Sequence, residues 1–509
     1  MGKRRLTYAE LETESNRLAR RLEERGCMRG DRVCLFLPKS PEAIVGMLAT
    51  LKAGGVYVPL DLASPAPRVA KIVEAAEPRL ILTMHEAVRL LDDLAASGAL
   101  TQAVQIGSLV DEPVLGERFA TTFCRADSSP LSPEPLRRAG HPDDVAHLLF
   151  TSGSTGTPKG VMITHSNVVH FVEWATAYFG TRETDHISGH PPLHFDLSTF
   201  DIYGSALAGA ELHLFPAVAS LLPEKLAALI RVSELTQWHA VPSIFTYMAK
   251  FDVVAQDDFP SLERVLWCGE VLPTPVLMYW MERLPHCRFT NLYGPTEATI
   301  ASSYWTMPEP PRKETDAIPI GTPCVGEELL ILDVDMQPTP IDEVGELYIA
   351  GAGLSSGYWR DEEKTRAAFV PDPRAPGSGT CIYRTGDLAR LGDDGLVYFL
   401  GRADSQIKHR GYRIELGEIE TALNAVAQVR ECAVVGIETE GFEGTAICAA
   451  YALGVGVTVD PPALSESLRN VLPPYMLPSR WLELDGLPKN VNGKIDRSRL
   501  RELFGENGS

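Results

Sequence analysis

The densest chemistry in this chain lies in one run, Leu148-Leu-Phe-Thr-Ser-Gly-Ser-Thr-Gly-Thr-Pro-Lys-Gly-Val161. Apolar residues lead into a loop of hydroxyls and glycines that closes on a lysine. Glycines let a backbone approach a polyphosphate, and exposed N–H groups and hydroxyls can donate to it. Lys159 adds a point charge. The Gly-Lys-Ser/Thr of a Walker A loop is missing, so the run is either another kind of anion cradle or a plain Gly/Ser turn. Thr151, Ser152, Gly153, Ser154, Thr155, Gly156 and Lys159 are its candidate phosphate contacts.

Further motifs follow in order. Asn291-Leu-Tyr-Gly-Pro-Thr-Glu297 sets a flat tyrosine face beside a hard carboxylate, suited to an aromatic base and to Mg²⁺. Tyr383-Arg-Thr-Gly-Asp387 ends in a carboxylate that can accept from both hydroxyls of a ribose, or simply cap a turn. Gly401-Arg-Ala-Asp404 is a turn-like break. Gln406-Ile-Lys-His-Arg-Gly-Tyr-Arg-Ile-Glu-Leu-Gly-Glu418 reads alone as a basic surface loop. Leu487-Pro-Lys-Asn-Val-Asn-Gly-Lys-Ile-Asp496 holds Lys494 in a glycine-containing loop.

In this order the segments resemble the signatures of the adenylate-forming superfamily: acyl-CoA ligases, luciferases and the adenylation domains of nonribosomal peptide synthesis. The resemblance covers nearly the whole chain, from Leu6-Thr-Tyr-Ala-Glu-Leu11 to Lys494. It implies that a carboxylate is joined to the α-phosphate of ATP with loss of pyrophosphate. Such a site needs a polyphosphate cradle, a divalent metal, a lysine near the carboxylate and a grip on the nucleoside. The resemblance assigns Thr296 to the α-phosphate and Glu297 to Mg²⁺. Gly269, Asn291, Tyr293 and Gly294 go to the nucleotide, Asp387 to the ribose with Arg402 beside it. Asp404 becomes a hinge, Gly411 lines a pantetheine tunnel, and Lys494 is the catalytic lysine between carboxylate and α-phosphate.

Phe195-Asp-Leu-Ser-Thr-Phe200 bears on the acid. A buried carboxylate needs a cation. In amino-acid-activating members an aspartate here pairs with the α-ammonium; otherwise Asp196 is a helix cap. By the resemblance the pocket comprises Asp196, Leu197, Phe200, His239, Leu266, Cys268, Leu292, Ile300, Ala301 and Lys494. It offers no second carboxylate and no cation besides Lys494, which favours a small neutral amino acid. The Asp-Leu opening with Leu266 and Leu292 is similar to proline-activating members, so proline or a close relative is the first candidate. His239 and Cys268 depart from that pattern.

The elements that must position these residues alternate. A helix is expected over residues 7–26, with Thr7 and Glu10 as a capping box and Leu11, Leu18 and Leu22 on its apolar face. A strand is expected over 33–37, a helix over 41–53 and a strand over 54–60, the pattern of βαβ units. The expected fold is α/β: a large N-terminal domain of parallel-sheet layers with a β-rich subdomain, then a small mobile α+β C-terminal lid. The boundary is expected between residues 1–403 and 404–509. A chain of 509 residues suits more than one core. The net charge of -20 argues against nucleic acid and anionic lipid. Nine cysteines without a C-x-x-C pair fit a reducing cytosol with no zinc site. The start lacks a signal peptide, and no apolar run has the length of a membrane span. The chain opens at the first shared motif, and no Gly-Gly-x-Ser carrier motif follows Lys494. The resemblance therefore implies a stand-alone cytoplasmic ligase of secondary-metabolite biosynthesis that loads a separate phosphopantetheinylated carrier protein. An acyl- or aryl-CoA ligase and a catalytically silent nucleotide-binding relative are the alternatives.

Overall fold

Thr7 starts the first helix, Tyr8–Glu24, as expected: its hydroxyl accepts from the Glu10 amide while the Glu10 carboxylate takes the Thr7 amide. Leu18 and Leu22 pack this helix on the next one, Pro41–Lys52. The computed structural model describes residues 4–101, 103–136, 140–153, 157–403, 406–438, 445–454, 457–489 and 495–506. Ser154, Thr155, Gly156, Asp404 and Lys494 lie outside the described residues.

The first sheet is built from β1 (Arg32–Phe36), β2 (Val56–Pro59), β3 (Leu80–Thr83), β4 (Gln105–Ser108), β5 (Val145–Thr151) and β6 (Lys159–Thr164). Its order is β4-β3-β1-β2-β5-β6, parallel except for β6, and its middle strands are apolar runs buried on both faces. A second sheet holds β7 (His186–Gly189), β8 (Glu211–Leu214), β9 (Gln237–Ala240), β10 (Arg264–Trp267), β11 (Arg288–Tyr293), β12 (Ser303–Thr306) and β13 (Thr322–Pro323). It runs β13-β12-β11-β10-β9-β7-β8, with β12 and β13 antiparallel.

The β-rich part is an antiparallel sheet of β14 (Glu327–Leu332), β15 (Gly345–Gly351), β16 (Phe369–Pro371), β17 (Cys381–Leu391) and β18 (Val397–Arg402). The remainder carries the hairpin β19 (Gln406–His409) and β20 (Tyr412–Glu415). It also carries a sheet of β21 (Val429–Glu438), β22 (Thr445–Leu453) and β23 (Arg480–Glu483), covered by helices. No described helix is long and apolar enough to cross a membrane.

One detail differs from the expectation of a strand emptying into a loop. Lys159 opens a second strand, and Thr151 and Lys159 are register partners. The antiparallel pairing of β5 and β6 therefore brings Thr151 and Lys159 to the same end.

Candidate functional site

Glu297 follows β11 in a short turn and is completely buried. Its Oε1 accepts from the Tyr358 hydroxyl at 2.7 Å and its Oε2 from Arg413 Nη1 at 2.8 Å. Burial pushes this carboxyl up, but Arg413 and Lys159 together outweigh it and hold it down at about 2. Lys159 stands 3.9 Å from Glu415 and 5.1 Å from the centre of the Tyr358 ring. Burial lowers the Lys159 ammonium, and Glu297 opposes that shift. The chain just after β5 is shaped for close approach. A Cβ on Gly153 would lie 2.1 Å from the Thr157 carbonyl oxygen, so only glycine fits. The buried Thr151 hydroxyl makes no hydrogen bond among the described residues. A tyrosine hydroxyl, a lysine and an arginine thus converge on one buried carboxylate.

Mg²⁺ at Glu297 does not fit this arrangement. Both carboxylate oxygens are engaged, Arg413 and Lys159 already balance the charge, and Mg²⁺ needs near-octahedral oxygen donors.

Three of the residues that the resemblance assigns to the nucleotide form one hydrogen-bonded unit. The Tyr293 hydroxyl and Arg402 both donate to buried Asp387, and the Asp387 amide donates to Thr385 Oγ1 at 2.9 Å. Lys408 Nζ stands 5.3 Å from the Tyr293 ring centre. Asn291 is turned elsewhere, its amide donating to the Pro319 carbonyl at 2.8 Å. Gly269 adopts φ +97°, and a Cβ on Gly294 would lie 2.5 Å from the Ala301 Cα. Because that neighbour is backbone, Gly294→Ala is expected to cost about 1–3 kcal/mol of stability, seen as a lowered Tm. An unchanged Tm would show that the turn can relax.

Asp196 precedes the helix Leu197–Ala208 but makes no capping bond to it. Burial pushes its carboxyl up to about 6, opposed by hydrogen bonds from Thr296 and from the Leu197 amide. Leu197, Phe200, Leu266, Cys268, Leu292, Ile300 and Ala301 pack into one cluster beside it. His239 meets Phe200 edge-on at 5.9 Å, so the described pocket residues come together. Thr299 and Ile300 hold positive φ, 56° and 71°. Backbone strain of this kind persists where the surroundings over-determine it. Here the Thr299 hydroxyl is tied to the Gly353 carbonyl at 2.7 Å, which places Ile300 in the cluster.

The β19–β20 hairpin reaches into the same region. Gly411, at φ +80°, abuts Val241, where a Cβ would lie 2.6 Å from Cγ1. Tyr412 packs edge-on against Phe195 at 4.8 Å, and Ser152 Oγ donates to the Arg413 carbonyl at 2.6 Å. Glu418, just beyond the hairpin, ion-pairs with Arg68. The residues flanking Lys494 are tied to the C-terminal part: Lys489 pairs with Glu431 at 2.6 Å, and Ile495 packs on Ala433, Val435 and Leu500. Arg413, Tyr358 and Lys408 escaped the sequence reading as individual site residues. Arg413 and Lys408 lie inside a quoted basic motif, whereas Tyr358 carries no local signal.

Against known proteins, the AMP-binding enzyme family matches residues 1–359, and the AMP-binding enzyme C-terminal domain matches residues 418–494. The chain is 37% identical over 496 residues to a dimodular nonribosomal peptide synthase of Bacillus subtilis strain 168, covering 97% of this chain and 20% of that protein. It spans less than half the length of the curated relatives it matches first. The Vibrio cholerae adenylation domain AlmE, solved in complex with glycyl-adenosine-5'-phosphate, is similar with a TM-score of 0.85. That match covers 99% of this chain and 94% of the other at 25% identity. Holo-PA1221, an NRPS protein containing adenylation and PCP domains, is similar with a TM-score of 0.78, covering 97% and 79% at 28% identity.

Proposed function

The chain belongs to the AMP-binding enzyme family, whose adenylate-forming fold it shares, and from that premise we propose that it activates a neutral α-amino acid as its aminoacyl-AMP. The observation that carries this is Asp196, a half-buried carboxylate beside an apolar cluster. An acid without an amine would leave that charge unpaired.

In the first half-reaction the substrate carboxylate attacks the α-phosphorus of ATP, and the bond to pyrophosphate breaks. Asp196 holds the α-ammonium and so orients the carboxylate. The hydroxyl-rich run and Lys159 take the pyrophosphate side, and the Tyr293–Asp387–Arg402 unit grips the nucleoside. Lys494, by resemblance, bridges carboxylate and α-phosphate. Mg²⁺ belongs to this proposal only as an ion accompanying ATP.

In the second half-reaction the pantetheine thiol of a carrier protein attacks the acyl carbon and AMP leaves. The hairpin packed against Val241 and Phe195 supports this assignment for Gly411. We place the boundary of the mobile lid at residues 403 and 404, between β18 and β19, and the enzyme in the cytoplasm, where nine cysteines outside any disulfide are at home. Neutral pocket walls favour a small uncharged side chain, with proline the first candidate by its Asp-Leu opening.

The test is ATP–pyrophosphate exchange across a panel of amino, aryl and fatty acids. Exchange driven by an α-amino acid is expected. Exchange driven only by an aryl or fatty acid would move the chain to the CoA-ligase reading.

A pH dependence follows from Asp196. Only its ionised form pairs with the ammonium, and its carboxyl sits at about 6. Exchange kcat/KM is therefore expected to fall about tenfold per pH unit below that value. A profile flat from pH 8 to pH 5 would remove Asp196 from the binding step.

A further inference from the structure

We propose that Asp201 and His239 form a reader for a hydroxyl group, so that the substrate is a neutral α-amino acid whose side chain carries a single hydroxyl. This rests on the amino-acid reading above and narrows it. Its basis is a pair of buried atoms left without partners. His239 Nε2 and Asp201 Oδ2 make no hydrogen bond among the described residues, and both side chains are inaccessible to solvent.

His239 is well fixed. It lies on β9 as the register partner of Leu266, another pocket residue, and its backbone amide donates to Ser188 Oγ at 3.0 Å. Its Nδ1 stands 3.4 Å from Asp201 Oδ1. Asp201 sits on the helix that carries Leu197 and Phe200, and the ring of Phe200 meets the imidazole edge-on at 5.9 Å. The two ring nitrogens point apart, so Nε2 faces away from Asp201.

The hydrogen bond to Asp201 sets the tautomer. Burial pushes the Asp201 carboxyl up, and His239 and Lys39 oppose that shift; the Lys39 side-chain nitrogen donates to the carbonyls of Gly189, His190 and Pro191. An ionised Asp201 accepts only, so a neutral imidazole that donates to it does so through Nδ1 and leaves Nε2 its lone pair. A buried acceptor without a donor is costly unless a ligand supplies one.

The rest of the lining decides which donor. Leu266, Leu292 and Ile300 are apolar, and the Cys268 thiol already faces the Ile300 carbonyl at 3.9 Å. On the imidazole edge away from Asp201 the side chain therefore finds one acceptor, His239 Nε2. A hydroxyl brings one hydrogen and is matched. A primary amide brings two donors and an acceptor, most of which would stay unpaired, and an ammonium adds a second charge. Proline leaves Nε2 empty.

The experiment is pyrophosphate exchange on matched pairs: serine and alanine, threonine and valine, tyrosine and phenylalanine, 4-hydroxyphenylglycine and phenylglycine, 4-hydroxyproline and proline. In at least one pair the hydroxylated member should lead in kcat/KM by about 100-fold or more. The aliphatic and phenolic pairs distinguish the two sources of a hydroxyl. Asp201 is a positioning residue, and Asp201→Asn should shrink that ratio about tenfold, mainly through KM. Should Asp201→Asn not fold, His239→Leu serves instead and should reverse the preference toward the member without the hydroxyl. Deoxy members matching or leading throughout overturn the proposal while amino-acid activation stands. An unchanged ratio in a folded variant also overturns it. Silence with every amino acid sinks the underlying reading, and this proposal with it.

Discussion

Asp196→Ala is expected to lower amino-acid-dependent pyrophosphate exchange by about 100- to 4,000-fold in kcat/KM, the cost of about 3–5 kcal/mol for leaving one partner of a buried charge pair alone. On the proposed reading the stranded partner is the substrate's ammonium, beside the apolar cluster of Phe200, Leu266 and Leu292. Stability should not follow activity. The Asp196 carboxyl is pushed up to about 6, so its ionised form opposes folding above that pH. The variant should melt at the same temperature or higher, the usual relation where a site is kept at a cost. Loss of exchange together with a lowered Tm would instead mark Asp196 as a structural residue. ATP binding, measured by calorimetry, should survive because the Tyr293–Asp387–Arg402 unit is untouched.

Lys494→Ala carries the second large expectation. A lysine bridging two anions in the transition state is an electrostatic contact in a site shielded from water. Removing one such contact costs about 10²- to 10³-fold in rate. Exchange should fall by that factor while nucleotide binding is kept. Unchanged exchange would take Lys494 out of the chemistry and leave Lys159 and Arg413 as the cations beside the buried Glu297.

The parts legible in the sequence are those governed by short-range rules. Thr7 and Glu10 announced a helix start because both halves of a capping box lie within one turn. The apolar runs at β1 and β2 announced buried strands. The Asp196 pocket was legible only through resemblance, since its described residues come from the helix Leu197–Ala208, from β9, β10 and β11, and from the turns beside them. What escaped is long-range. Tyr358 reaches Glu297 across 61 residues, and Arg413 reaches it across 116. Asp201 and His239, separated by 38 residues, meet only because a helix packs on β9. No local pattern marks such pairs, because what selects them is the packing of separate sheets. Lys159 shows a subtler gap: its role as a cation was readable, but its place as the first residue of an antiparallel strand was not.

The central claim is that Asp196 pairs with an α-ammonium. It is tested most directly by comparing an accepted amino acid with its des-amino analogue, the same carboxylic acid lacking the α-amine, in the wild type and in Asp196→Asn. Pyrophosphate exchange in the wild type should favour the amino acid by about 100-fold or more, and Asp196→Asn should erase most of that difference. Equal exchange with both acids in the wild type, or a preference that survives Asp196→Asn, would contradict the account.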